Sequence, residues 1–248
     1  RLVHRLVRQV NVPLMLDSTQ SPTIEAGLKQ AGGKCAINSA NLEDGEEKFA
    51  LMCRLARTYG AALVIGTIDE DPEEAMARTA TRKFAVARRM VKLAVEKHGL
   101  PPQDLIIDPL VLPISTGMAK DRRSGLETIE GTRQIARELP ECQITCGLSN
   151  VSFGLKPPAR VVLNSVFLHE LVAAGLNSAI LHASKILPRH RIDDHHWQRA
   201  LDLIYDRRPE EPMLLSDNTR SNDPLQIFID LFPDGTSAAT ARENLADL

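Results

Sequence analysis

Six short apolar runs punctuate the first two hundred residues. They are "VPLML", "KCAIN", "AALVIGT", "DLIID", "CQITCGL" and "NSAIL". Each is too short for a helix and too continuously apolar for a half-exposed antiparallel strand, which is the pattern of strands buried on both faces. Amphipathic stretches lie between them. After the first run, Ser21 can cap a helix, Pro22 suits its first position, and Gly32 and Gly33 stop it. The clearest case is "DPEEAMARTATRKFAVARRMVKLAVEKHGLPP". There Asp71 can cap, Pro72 open, and Glu74 complete a capping box. Ala80, Phe84, Ala87, Val91 and Ala94 recur at three- and four-residue steps and predict a core-facing stripe. Arg78, Arg82, Arg88, Arg89 and Lys92 read as the solvated face, and Gly99 with the prolines after it ends the helix.

Strand–helix alternation of this kind means a parallel sheet, either doubly wound or closed into a (β/α)8 barrel. "RLVHRLVRQV" reads as a helix leading into the first strand. The texture changes near Tyr205. A polar, Pro-containing stretch follows, then the apolar "LQIFIDLF", then "SAATARENLADL", which suits a terminal helix. The expected division is a domain over 1–205 and a linker with a C-terminal extension over 206–248.

Composition narrows the role. The 248 residues are 43% hydrophobic with a net charge of −2, so there is no electrostatic case for nucleic acid or an anionic membrane. No apolar run approaches the roughly 18 residues of a membrane span. The basic start lacks an apolar h-region, so no signal peptide is predicted. Cys35, Cys53, Cys142 and Cys146 form no C-x-x-C pair. They read as buried apolar residues of a reducing, cytoplasmic compartment rather than metal ligands or disulfides.

The apolar runs end on polar groups: Asp17, Asn38 with Ser39, Thr67, Asp108, and Ser149 with Asn150. A polar side chain inside a buried strand costs several kcal/mol unless paired. At the carboxyl end of a parallel strand it can face a ligand cleft instead. Phosphate sites want Gly-rich turns and cations, and neither nucleotide fingerprint is present. Carboxylates and amides suit an uncharged heterocycle rich in N–H donors, since a carboxylate can take two parallel N–H bonds from a guanidine-like edge. Ser18, Ser39 and Thr67 suit helix capping as well as a ligand role. The positions of Asp17 and Asp108 favour the ligand role.

Taken together, "LMLDST", "AINSANLEDGEEKF", "LIIDPL" and "GLSNVSFGL...ARVVLNSVFLHELVAAGLNSAI" resemble the pterin-binding methyltransferase family over roughly residues 3–205. "NLEDGEEKF" and "SNVSFGL" look most like its methionine synthase branch, the methyltetrahydrofolate-binding domain of the cobalamin-dependent enzymes. The resemblance implies a TIM-type barrel whose first two βα units, with a "GER-N"-like turn and a "DxN"-like strand end, are missing from these residues. A fragment of a longer chain is the expectation, and a truncated paralogue the alternative. It also implies that Asp17, Asn38 and Asp108 hydrogen-bond the pterin of 5-methyltetrahydrofolate, with Asn150 near N5. Lys156 and Arg160 are the candidates for a basic folate contact. Asn150 cannot supply a proton at neutral pH, so its expected role is to orient N5 and a water. The acceptor implied is a cob(I)alamin corrinoid on another domain or protein. No D-x-H-x-x-G corrinoid motif and no Cys-rich zinc site occur, and His195 and His196 read as surface residues, so no metal site is predicted. The competing readings are a non-catalytic folate-binding module and a dihydropteroate synthase-like enzyme; the latter's "S-x-R-P-G"-like segment is not found.

Overall fold

A computed structural model describes residues 1–233, so the expected terminal helix in "SAATARENLADL" lies outside the described residues. The chain forms two compact units. One comprises residues 1–110, 131–145 and 176–178; the other comprises residues 111–130, 146–175 and those from Ala179 onward.

The first unit is built on a five-stranded, wholly parallel sheet in the order β1-β2-β3-β4-β5. Its strands are β1 (Met15–Asp17), β2 (Ala36–Ala40), β3 (Ala62–Gly66), β4 (Leu105–Asp108) and β5 (Gln143–Ile144). Five of the six apolar runs therefore supply these strands. Ile37, Leu63, Ile65, Leu105 and Ile107 are fully buried, each stabilising the fold by about 1.5–3 kcal/mol. The sixth run forms no named strand among the described residues: its Ser178 N–H donates to the Ile144 carbonyl at 3.0 Å, and its Ile180 makes an isolated parallel bridge to Gly147. Among the described residues β1 pairs with β2 alone, and its Met15 is 40% exposed.

Short α1 (Leu2–Leu6) precedes β1, and α2 (Ser21–Leu28) follows it. Pro22 sits in the first turn of α2 as expected, but its N-cap is Gln20 rather than Ser21. α3 (Glu46–Tyr59) buries Phe49, Met52, Cys53 and Ala56 at helical spacing. It stops at Gly60, whose φ of +62° suits a residue without a Cβ.

α4 (Ala80–Lys92) corrects the predicted start at Asp71. Asp71 does accept the Glu73 and Glu74 N–H groups, at 3.0 and 2.9 Å. The turn it closes ends there, because Met76 bridges back to Ile68. Thr79 is the true cap, accepting the Arg82 N–H. The buried stripe is also shifted: Lys83, Val86, Ala87, Met90, Val91 and Ala94 are inside, while Ala80 and Phe84 are half-buried. Arg82 is not on the solvated face as predicted. It is half-buried and donates to Asp69 at 2.8 Å. All four cysteines are buried, and burial pushes the Cys53 thiol up to about 12.

α5 (Ser124–Glu138) is divided between the units by residue. In the second unit, α6 (Pro157–Ala173) packs with a 3-10 turn, Leu148–Ser152, and with α7 (Asp194–Ile204). The hairpin β6 (Met213–Leu214) and β7 (Arg220–Ser221) precedes α8 (Pro224–Asp230), which packs on α7. Val162, Leu163, Val166, Phe167, Leu203 and Phe228 form its core.

Candidate functional site

Parallel pairing brings predicted groups of the first unit to the same strand ends. Asp17 is in register with Asn38, and Gly66 with Asp108. The Asn38 Nδ2 donates to Asp17 Oδ2 at 3.3 Å. Asp17 is exposed and Asn38 half-exposed, so both keep capacity for a ligand. Ser18 Oγ accepts the Gln20 N–H at 3.1 Å, the local turn that leads into α2. Thr67 is fully buried just after β3, and its hydroxyl has no hydrogen-bond partner among the described residues.

Asp108 is held more tightly. Its carbonyl accepts the Thr67 N–H at 3.0 Å, and its Oδ1 accepts the Leu110 N–H at 2.8 Å. Withdrawal from water pushes its carboxyl up to about 6, against the opposing pull of the Leu110 N–H and the Lys83 charge. Leu110 lies at φ +59°, a left-handed conformation that costs an L-residue about 1–2 kcal/mol. Sequence reading missed Lys83, although its place in phase with Val86, Ala87 and Met90 was the available signal. Lys83 is fully buried.

In the second unit, Asn150 is exposed on the 3-10 turn Leu148–Ser152. Arg160, one turn into α6, reaches back to this turn. Its Nε donates to Ser152 Oγ at 3.2 Å and its second guanidinium nitrogen to the Ser149 carbonyl at 3.3 Å. The guanidinium thus brackets Asn150 on either side. Lys156 Nζ instead donates to the Phe232 carbonyl at 3.4 Å. This unit also holds a cavity of about 680 Å³, walled by Leu148, Val161, Val162, Ile180 and Ile186 with Arg160 at its edge.

Asp193, His195 and His196 place potential ligand atoms within 4.8 Å of one another. Both oxygens of Asp193 already serve helix α7: Oδ1 accepts the His196 N–H at 3.0 Å, and Oδ2 meets the His196 ring. Helix capping accounts for this cluster.

The family model described as "Pterin binding enzyme" matches residues 1–182, and the chain belongs to that family. Among curated proteins it is similar to methionine synthase of Mycobacterium tuberculosis (strain ATCC 25618 / H37Rv), at 47% identity over 251 residues covering 100% of this chain. It is likewise similar to methionine synthase of Mycobacterium leprae (strain TN), at 45% identity over 245 residues and 98% of this chain. The chain spans 20% and 19% of the length of these two relatives.

Proposed function

We propose that this chain binds 5-methyltetrahydrofolate and supports transfer of its N5 methyl group to a corrinoid acceptor, as one step of methionine synthesis. The observation that carries the reading is the in-register pair Asp17 and Asn38, with Asp108 at the end of β4, in a chain of the pterin-binding family. These are acceptors and an amide without a cation among them, which suits the N–H-rich edge of a pterin.

On this reading Asp17 and Asp108 accept hydrogen bonds from the ring, and Asn38 both donates and accepts. Asn150 holds N5 and a water by hydrogen bonds rather than releasing a proton itself. Arg160 and Lys156 remain the basic candidates for folate, and the bonds Arg160 makes to Ser149 and Ser152 favour a share in orienting Asn150. A reduced corrinoid carried by another domain or protein supplies the nucleophile that takes the methyl group. The contribution of this chain is placement and electrostatics. The reading extends to a TIM-type barrel domain to which residues 1–205 contribute, and to a cytoplasmic setting; no described helix is long and apolar enough to cross a membrane.

Titration of the intact protein with 5-methyltetrahydrofolate, followed by a methyl-transfer assay with free cob(I)alamin, tests the proposal. Saturable binding with transfer is the expected result. Binding without transfer would favour a non-catalytic folate module, and absence of binding would refute both.

A further inference from the structure

We propose that Lys83 is a positioning residue that sets the carboxylate of Asp108 for its ligand. The inference rests on the reading of Asp108 as a pterin contact. Lys83 is 0% exposed, and its ammonium donates to three carbonyls: Ala77 at 2.9 Å, Pro109 at 2.6 Å and Leu110 at 2.8 Å. An ammonium has three N–H donors, so a buried one can be fully satisfied by three acceptors. Two of these carbonyls belong to the residues directly after Asp108. Holding them fixes both peptide planes and keeps Leu110 in its left-handed conformation. That conformation directs the Leu110 N–H at Asp108 Oδ1, 2.8 Å away. One carboxylate bond is thereby committed, and the remaining acceptor capacity has a defined direction.

The space for this lysine is also built in. Gly131 lies beside its stem, where a Cβ would stand 3.0 Å from Lys83 Cδ and 3.3 Å from its Cβ. Among the described residues the charge that acts on Asp108 is that of Lys83, which favours the ionised carboxylate. A lysine that served only the core would contribute to stability, and its replacement in a variant that still folds would leave folate affinity unchanged.

The test compares Lys83→Met, Gly131→Ala and Asp108→Asn with the wild type in the intact protein. The readout is the dissociation constant for 5-methyltetrahydrofolate across about pH 5 to 8, the range in which a carboxyl raised by burial titrates. For Lys83→Met the expected result is at least about tenfold weaker binding at neutral pH and an upward shift of the pH midpoint of binding. Gly131→Ala keeps the charge but crowds the stem; it should weaken binding several-fold with a smaller midpoint shift, and it carries the test if Lys83→Met does not fold. Unchanged affinity and midpoint in a folded variant of Lys83, or in Gly131→Ala if that is the one that folds, overturn the proposal. If Asp108→Asn also binds like the wild type, the reading of Asp108 itself has failed. If Asp108→Asn loses binding while the others do not, only the role of Lys83 has.

Discussion

Asp108 and Asn150 are fixed by opposite means. Asp108 ends a buried parallel strand, anchored through the ladder and through Leu110, with a buried ammonium on the following two carbonyls. Asn150 sits exposed on a single 3-10 turn, held from outside by the Arg160 guanidinium. The first setting is half-buried and tied to the backbone through Leu110 and the strand ladder, which would suit recognition of a fixed ring edge. The second is open to water and tethered by two longer bonds, which suits a group that must follow an atom whose bonding changes. On the proposed reading, the difference separates recognition at Asp108 from chemistry at Asn150.

The largest effect that can break this comparison is expected from Asp108→Asn. Losing a charge-assisted hydrogen bond costs about 1.5–3 kcal/mol, so the dissociation constant for 5-methyltetrahydrofolate should rise by roughly 10- to 100-fold. The same change has an opposite effect on folding. Because the folded carboxyl is raised to about 6, its contribution to stability is present below the ordinary carboxylate range and is lost as pH rises through about 6. Asp108→Asn removes that loss, so its thermal midpoint relative to wild type should be higher at pH 8 than at pH 5. Equal differences at both pH values would mean that the carboxyl is not withdrawn from water.

A smaller and different effect is expected from Asn150→Ala. Methyl transfer should slow by about tenfold or more, while folate affinity changes little, because the group orients a reacting atom. Equal binding and equal rate would remove its role. Arg160→Met should give the smallest change, a few-fold loss in the same kinetic parameter as Asn150→Ala, since it acts through the turn. A loss in affinity at constant rate would instead make Arg160 a direct folate contact.

Much of this was legible in the chain. Continuous apolar runs with polar ends located the parallel strands, because a strand buried on both faces leaves no room for alternation. The start of α4 was misread because Asp71 satisfies the Glu73 and Glu74 N–H groups, and that local bonding closes a turn as well as it opens a helix. Lys83 was missed because a helix rich in arginine and lysine reads as solvated, and its three carbonyl partners lie 6, 26 and 27 residues away. Lys156 and Arg160 could not be separated by spacing; the partner of Lys156, Phe232, is 76 residues distant.

The most direct test is a crystal structure of the intact protein with 5-methyltetrahydrofolate bound. The account predicts carboxylate oxygens of Asp17 and Asp108 within hydrogen-bond distance of the pterin ring, with the Asn38 amide beside them. A pterin lodged away from these strand ends, with both carboxylates left to solvent, would contradict it.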